Sequence, residues 1–376
     1  MGDTEMAIAN SSNSSNSSNS SNSSNSSNSS NSSGLFGQAE LALSGGQSSF
    51  LLSDALDTTA KSLAGEHELP EGAIELLNSK VTAPRRLNPR HRMALIVDAL
   101  TDGIEVQPGG DGAVTLTDRA APVAEIALQR DTSQAWIEGF WRGQVAQVHA
   151  MKWNRDEQLS EIVLQQTDIL SFLSLPVAIG SLTHERTLIL FEALLNATFR
   201  IEARIKRQFS LARPAHLASD INPVIQTPAH SSFPSGHATE AFCLAMFIEL
   251  LFFGGAKTEA VRRIAERIAT NRSVAGVHYP CDSVAGAALG VALATTFMRR
   301  LFRIGGTTPP QWTAQVTHKE TPDDADLDLS LLPEAWQDKL TPGFAGTVTA
   351  VDPGSGDAAR LLAWLAQGAL DEQALG

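Results

Sequence analysis

The 376-residue sequence has few of the residues that crosslink a chain or bind nucleic acid. Its two cysteines, Cys243 and Cys281, supply neither a disulfide framework nor a paired-cysteine metal site. Only 28 basic residues stand against 41 acidic ones, and the net charge is -13. This excess argues against a nucleic-acid partner and against strong attraction to anionic membrane surfaces.

Long uninterrupted hydrophobic runs are scarce as well. The run "AFCLAMFIELLFFGGA" (241–256) contains Glu249, and "VAGAALGVALATTFM" (284–298) is shorter than the roughly 20 residues that a membrane span needs. Both runs therefore predict buried core helices, and no membrane span is expected. The N-terminal stretch "MGDTEMAIAN" has neither a basic nor an apolar segment, so we expect no secretory signal and a cytoplasmic protein.

Composition divides the chain into four regions. Residues 1–33 are dominated by Asn-Ser-Ser triplets without apolar side chains, which predicts a disordered low-complexity segment. Residues 34–130 are predicted to be mostly helical, with a hairpin or an irregular excursion at a glycine-rich stretch. Residues 131–305 predict an all-α helical bundle whose least polar helices lie in its middle. Residues 306–376 predict an acidic linker and short helices.

The first of three polar segments is "KRQFSLARP" (206–214). Lys206 and Arg213 are seven residues apart, which is nearly two helical turns, so both cations are predicted to share one helix face. Pro214 cannot continue that helix. Two cations near a helix C-terminus also suit the helix dipole, so this pair alone has a purely structural explanation.

The second segment, "FPSGH" (233–237), directly precedes a long apolar helix. Gly236 permits close approach of the backbone, and Ser235 either caps the helix or donates a hydrogen bond. Because the amide groups of a helix N-terminus point toward such a turn, the segment predicts an anion site. A serine cap followed by an incidental histidine, His237, explains the same residues equally well.

The third segment, "NRSVAGVHYPCD" (271–282), contains Arg272, His278 and Asp282. Pro280 suits the first turn of the next helix, which places Asp282 where it can reach back to a ring nitrogen of His278. Such a bond fixes the tautomer and leaves the other nitrogen as a nucleophile or a ligand. The structural alternative is a surface arginine, a core histidine and an aspartate at a helix start.

Together, the three segments point to one oxyanion pocket inside an apolar bundle. Buried cations need an anionic partner because an unpaired buried charge costs several kcal/mol. The sequence offers few acidic residues near these cations, so a multivalent oxyanion is the expected partner. Its predicted donors are Lys206, Arg213, Ser235, Gly236 and Arg272.

These motifs resemble those of the phosphatidic acid phosphatase type 2 (PAP2) and vanadium haloperoxidase superfamily. The family pattern K-x6-RP, PSGH and (S/N)R-x5-H-x3-D is similar in order and spacing to residues 206–214, 234–237 and 271–282. Asn271 stands where serine is commoner. The resemblance covers roughly residues 189–300 and implies the family's helical bundle, here of the kind found in soluble bacterial members.

The resemblance implies two chemistries at the same residues. In the phosphatases, the residue matching His278 attacks phosphorus and forms a phosphohistidine, the match to His237 protonates the leaving oxygen, and the match to Asp282 orients the nucleophile. These enzymes take a phosphomonoester and need no cofactor. In the haloperoxidases, the pocket holds vanadate with the match to His278 as its axial ligand, and the match to His237 handles protons as peroxide oxidises a halide.

Of these two chemistries, we expect a haloperoxidase-like enzyme, and a soluble acid phosphatase is the alternative. His230 lies five residues before Ser235, where bromide-type haloperoxidases resemble this chain in carrying a histidine beside the halide. An ordinary loop histidine is the competing explanation for His230. Ala203 stands where haloperoxidases tend to carry tryptophan. A non-catalytic oxyanion-binding scaffold is a third alternative, and the sequence leaves a homo-oligomer open.

Overall fold

The computed structural model describes residues 87–109, 112–128, 134–318, 346–352, 354 and 356–373. The low-complexity segment 1–33 and most of the acidic linker lie outside these ranges. The described chain is mostly helical, which confirms the predicted fold class. Its α-helices are α1 (Pro89–Thr101), α2 (Gln134–Met151), α3 (Arg155–Leu164), α4 (Leu170–Leu173), α5 (Glu185–Phe209), α6 (Pro214–Leu217), α7 (Gly236–Phe252), α8 (Glu259–Val274), α9 (Pro280–Leu301) and α10 (Asp357–Gln373).

Two small sheets were not predicted by the all-α assignment. The strands are β1 (Ile104–Pro108), β2 (Ala113–Asp118), β3 (Ala121–Leu128), β4 (Phe302–Ile304), β5 (Ala314–His318) and β6 (Val348–Ala350). The first three form an antiparallel meander, β5 pairs in parallel with β3, and β4 pairs with β6. Residues 87–128, expected to be mostly helical with a hairpin or an irregular excursion at the glycine-rich stretch, hold one helix and three strands, and β2 and β3 form that hairpin. Their valine, isoleucine and threonine side chains favour a pleated, half-buried surface.

The centre of the bundle is α7, which packs against α5, α8 and α9. Its contact with α9 is unusually close, since a Cβ on Gly286 would lie 2.4 Å from the carbonyl oxygen of Ser235. A Cβ on Gly290, one turn later, would lie 2.4 Å from the carbonyl oxygen of Thr239. Glycine at both positions lets α9 support the turn that precedes α7.

Among the described helices, α9 alone is long and apolar enough to cross a membrane by length and composition. Of its qualifying 18-residue window, 94% is buried inside the protein. Buried core helices of ordinary globular proteins meet the same criterion, and α9 occupies the position predicted for such a helix.

The C-terminal helix α10 docks on α5 as its sequence predicted. The indole of Trp364 on α10 stacks against the guanidinium of Arg186, whose Cζ lies 3.8 Å from the centroid of the Trp364 ring. The carboxylate of Glu372 accepts hydrogen bonds from the backbone N–H groups of Arg186 (2.7 Å) and Thr187 (2.9 Å) at the start of α5. This contact caps the helix that carries Lys206. Leu361, Leu362 and Leu365 of this helix are buried, and Trp364 is half-buried.

Candidate active site

The structure brings the three polar segments together at one end of the bundle. Backbone hydrogen bonds join two of them, because the N–H of Ser235 donates to the carbonyl of Asp282 at 2.9 Å. The first segment joins through Lys206, whose Nζ donates to the carbonyl of Pro234 at 2.6 Å. The site is therefore assembled from the end of α5, the turn before α7 and the loop before α9.

Lys206 and Arg213 lie close together, but they do not share one helix face as predicted. Helix α5 ends at Phe209, and Ser210 adopts a left-handed conformation with φ of 46°. Arg213 thus lies beyond the helix rather than on its face, and the prediction of one shared helix face was wrong. The two cations converge because both donate to the carbonyl oxygen of Ser231, at 3.2 Å from Lys206 Nζ and 3.3 Å from Arg213 Nη2.

His278 is held in a defined tautomer by contacts on both of its ring nitrogens. Its Nδ1 lies 2.9 Å from Oδ2 of Asp282, and its Nε2 lies 2.9 Å from Nη1 of Arg213. A guanidinium only donates hydrogen bonds, so Nε2 must accept and carry the lone pair. Nδ1 therefore bears the proton and donates it to Asp282, as the four-residue spacing suggested.

Asp282 is itself fixed by two further donors. Its Oδ2 accepts hydrogen bonds from the hydroxyl of Ser232 and from the backbone N–H of Tyr279, the latter at 3.0 Å. Burial raises the pKa of Asp282 to about 6, and these hydrogen bonds oppose the rise. Burial, followed by the charge of Arg213, holds the pKa of His278 well below its usual range. The His278 imidazole is therefore neutral at neutral pH.

His237, at the second position of α7, has the opposite tautomer. Its Nε2 donates to the backbone carbonyl of Gln165 at 2.9 Å, which leaves Nδ1 as the nitrogen without a proton. Burial, then the charge of Arg272, holds the pKa of His237 well below its usual range. Both site histidines are thus neutral in the ligand-free site, with lone pairs on different nitrogens.

Arg272 is fully buried and only partly bonded. Its Nη2 donates to Oε1 of Gln165 and to the carbonyl of Ile162, both at 3.1 Å. Within the described residues, neither its Nε nor its Nη1 has a hydrogen-bond partner. Burial lowers the pKa of Arg272 to about 9, so the side chain is still charged at neutral pH. Two unbonded donors on a buried cation make a strong anion-binding group.

Gln165, just after α3, is a site residue that sequence reasoning missed. It contacts His237 through its backbone and Arg272 through its side chain, and its Oε1 also accepts from Nδ2 of Asn271 at 2.9 Å. Asn271, the departure from the usual serine, thus has a local role in this chain. No motif marks Gln165, since only the packing of α3 against α8 brings it to the site.

Ser235 and Gly236 form the start of α7, as predicted. Ser235 is the N-cap residue, and its Oγ accepts from the N–H of Ala238 at 3.5 Å. The space beside Gly236 is filled by a carboxylate, because a Cβ on Gly236 would lie 2.6 Å from Oε2 of Glu202. Glu202 also forms an ion pair with Lys206, Oε1 to Nζ, at 3.1 Å.

Glu202 corrects the expectation that the cations lack acidic neighbours. It lies four residues before Lys206 on α5 and is 1% exposed. The helical i, i+4 spacing of Glu202 and Lys206 was readable in the sequence and would have indicated the pair. Burial raises the pKa of Glu202, and Lys206 opposes that rise.

His230 contacts a site cation from the rim. Its Nδ1 lies 3.1 Å from Nη2 of Arg213, and its side chain is half-buried. Burial, followed by the charges of Lys206 and Arg213, lowers the pKa of His230 to about 4. The residue predicted to lie beside a halide is thus a neutral neighbour of the oxyanion donors.

An open cavity of about 540 Å³ adjoins the site. Glu202, Lys206, Arg213 and His230 contribute to its lining, as does Ala203. A second cavity of about 730 Å³ lies between α2 and residues 217–220 and contains none of the predicted site residues. The smaller cavity borders two of the site cations, Lys206 and Arg213, whereas His237, Arg272 and His278 are absent from its lining.

In the part of the chain that the structure describes, no cluster of three or more His, Cys, Asp or Glu side chains is arranged to hold a metal ion. The site's donor set is instead three cations, a helix N-terminus and two imidazoles, which suits a tetrahedral oxyanion. Phosphate and vanadate are both of that shape.

Comparison with known proteins supports the family predicted from the motifs. The sequence profile of the PAP2 superfamily matches residues 186–305. A decaprenylphosphoryl-5-phosphoribose phosphatase of Mycobacterium tuberculosis is 36% identical over 93 residues, which are 25% of this chain and 49% of that protein. The phosphatase of the same name from Mycolicibacterium smegmatis is 38% identical over 85 residues, 22% of this chain and 42% of that protein.

This chain thus spans about half of the length of the curated relatives it matches. Both relatives are named as phosphatases, which favours the phosphatase alternative over the haloperoxidase prediction. The profile match covers all eight residues predicted as oxyanion donors or catalytic groups, from Lys206 to Asp282. The match to the PAP2 superfamily over residues 186–305 confirms the resemblance predicted from the three motifs.

Proposed function

We propose that this chain is a phosphatase that hydrolyses small-molecule phosphomonoesters through a phosphohistidine on His278. The observation that carries the proposal is the pair of contacts on that ring. Asp282 accepts a hydrogen bond from Nδ1–H, while Arg213 donates one to Nε2. The lone pair of a neutral imidazole thus faces a guanidinium, which would transfer its hydrogen bond to a bound phosphoryl oxygen and leave Nε2 to attack phosphorus.

The phosphoryl group would be held by cations and by the start of α7. Arg272 offers two unbonded donors, and Lys206 and Arg213 border the adjoining cavity. Ser235 and Gly236 add the helix N-terminus, where the amide dipoles favour negative charge. These groups act more strongly on a pentacovalent transition state than on the substrate, because more negative charge lies on its oxygens.

The reaction proceeds in two displacements at phosphorus. First, Nε2 of His278 attacks as the ester P–O bond breaks, and the leaving oxygen takes a proton from His237 Nδ1. Water then attacks the phosphohistidine and gives a proton to His237, the P–N bond breaks, and orthophosphate leaves. His237 must therefore gain a proton before the first step, and the charge of a bound phosphate favours this.

Support for phosphatase chemistry over halide oxidation comes from the relatives and from one residue. Both named relatives are phosphatases. Ala203, which replaces the tryptophan of the haloperoxidases, lines the cavity beside Lys206 and leaves room for the organic part of a substrate. Vanadate would be held by the same residues, Lys206, Arg213 and Arg272 among them. With His278 facing it, vanadate would act on this enzyme as an inhibitor.

A paired assay on one purified sample tests the proposal. One half receives an aryl phosphate with and without orthovanadate, and the other receives orthovanadate, hydrogen peroxide, bromide and a bromination reporter. We expect hydrolysis that vanadate inhibits, and an acid-labile phosphoryl label on His278. Vanadate-dependent bromination with little hydrolysis would instead establish the haloperoxidase. Stabilisation of the fold by oxyanions without either reaction would establish a binding scaffold.

A further inference from the structure

A buried carboxylate lies where the proposed phosphate site needs positive charge. Glu202 is 1% exposed and contributes to the lining of the adjoining cavity, and its oxygens pack against Gly236 at the start of α7 and pair with Lys206. Within the described chain, neither carboxylate oxygen receives a well-directed hydrogen bond. A buried acceptor without a hydrogen bond is costly, so an arrangement of this kind needs an explanation.

The position of Glu202 resembles that of a bound anion. A helix N-terminus and a lysine are the same pair of groups that would hold a phosphoryl oxygen. In a site shielded from water, two negative charges this close repel each other strongly. An incoming dianion would therefore either displace the Glu202 carboxylate or bind once that carboxylate is protonated. Displacement is hindered, since the side chain is buried.

We propose that Glu202 couples anion binding at the oxyanion site to proton uptake by competing for Lys206 and the start of α7, so that a dianion binds together with one proton on Glu202. This inference rests on the proposed function, which supplies phosphate as the natural ligand. Protonated Glu202 would then donate to a phosphoryl oxygen, where the ionised form repels it. Burial favours that neutral form, and the raised pKa of Glu202 agrees.

Other titratable groups also face this position and need to be separated from Glu202. Those nearest are Lys206 on the same helix, Arg213 beyond it, His237 on α7 and Asp282 on α9, with Arg207, His216 and His230 around the adjoining cavity. Both site histidines are also expected to take up protons when an anion binds. Only a comparison of variants isolates the contribution of Glu202.

The test measures sulfate binding by calorimetry between pH 5 and 8, with wild type and Glu202→Gln. Sulfate remains a dianion throughout this range, so its own ionisation adds no pH dependence. At pH values where Glu202 titrates, this group alone should raise the sulfate affinity of the wild type by up to about tenfold for each unit by which the pH falls. In Glu202→Gln, proton uptake should be smaller by up to one proton at pH values where Glu202 is ionised in the unbound wild type, and sulfate affinity there should be several-fold tighter than that of the wild type.

Glu249→Gln is the matched control. Glu249 is also buried and paired with an arginine, Arg262, at 2.9 Å, but it lies near the opposite end of α7. This variant should keep the wild-type affinity and proton uptake, whatever its thermal stability. Circular dichroism of all three proteins verifies that each is folded.

Three results would overturn the inference. Equal proton uptake by wild type and Glu202→Gln would do so, as would weaker binding in Glu202→Gln, which would mean that Glu202 helps by orienting Lys206. Absence of sulfate binding to the wild type would also do so. The proposed function is judged separately by hydrolysis: pH-linked sulfate binding without hydrolysis removes only the phosphatase, and hydrolysis with unlinked binding removes only the role of Glu202.

Discussion

The two halves of the site differ in how completely the protein satisfies its own polar groups. On the side of the proposed nucleophile, both nitrogens of His278 are bonded, and Asp282 accepts from three donors. On the side of the proposed anion site, Arg272 has two unbonded donors and Glu202 has oxygens without directed hydrogen bonds. Both sides are equally buried, so solvent does not explain the difference.

This difference separates groups that the fold orients from groups that a ligand completes. A nucleophile benefits from a fixed tautomer and direction, and the hydrogen bonds of Asp282 supply both. Anion donors work best when no protein acceptor competes for them, and Arg272 meets that condition. Substitutions on the two sides should therefore affect different kinetic quantities.

The largest effect is expected from His278→Ala. Loss of the attacking nitrogen should lower kcat by at least about 10³-fold, because the covalent step is removed altogether. The variant should remain folded by circular dichroism, although loss of a buried ring that bonds Asp282 and Arg213 should lower its thermal unfolding temperature. Turnover of an aryl phosphate measures the effect, with His149→Ala as the control. His149 pairs with Asp220 away from the site and should be dispensable; full activity of His278→Ala would contradict the mechanism.

On the anion side, Arg272→Ala should chiefly weaken binding. Removal of one buried cationic donor is expected to lower phosphate affinity by about 10²-fold, measured by calorimetry. Arg263→Ala is the matched control on the same helix, because the exposed pair of Arg263 with Glu259 contributes little. An unchanged phosphate affinity in Arg272→Ala would show that the three cations do not share one pocket.

The sequence predicted the proposed nucleophile side better than the anion side. His278, Pro280 and Asp282 lie close in the chain, so helix geometry alone places the carboxylate on the ring. Gln165 comes from α3, far away in the chain, and no local rule connects it with His237 or Arg272. Such a contact depends on tertiary packing, which a single sequence does not encode in any readable spacing.

The secondary structure also divides into elements that local sequence predicts and elements that depend on distant partners. Long apolar helices such as α7 and α9 were predicted with ends close to those observed, since their residues are buried on all sides. The hairpin of β2 and β3 was one of the two expectations for the glycine-rich stretch, but the strand β5 was missed, because its parallel pairing with β3 joins segments distant in the chain. The turn at Ser210 was also missed, since a serine in a left-handed conformation carries no sequence mark.

The pH dependence of turnover tests the role of His237 as the acid. Burial and Arg272 lower the pKa of His237 in the free site, so its proton is lost as pH rises through that low value. A bound phosphate dianion should raise this pKa, because it favours the charged imidazole. The alkaline limb of kcat should therefore lie at higher pH than that of kcat/KM, after correction for ionisation of the substrate. Coincident limbs would contradict the assignment of His237 as the acid.

The smallest effect on activity is expected from the helix contact that supports the anion side. In Gly286→Ala, the new Cβ would meet the carbonyl of Ser235 at 2.4 Å, so the start of α7 must shift. Gly290→Ala produces an equal clash, with Thr239, one turn deeper. Both variants should lose about 1–3 kcal/mol of unfolding free energy. Only Gly286→Ala should also lose several-fold in kcat/KM, because Ser235 links α7 to Asp282; equal activity losses would mean that general destabilisation is the cause.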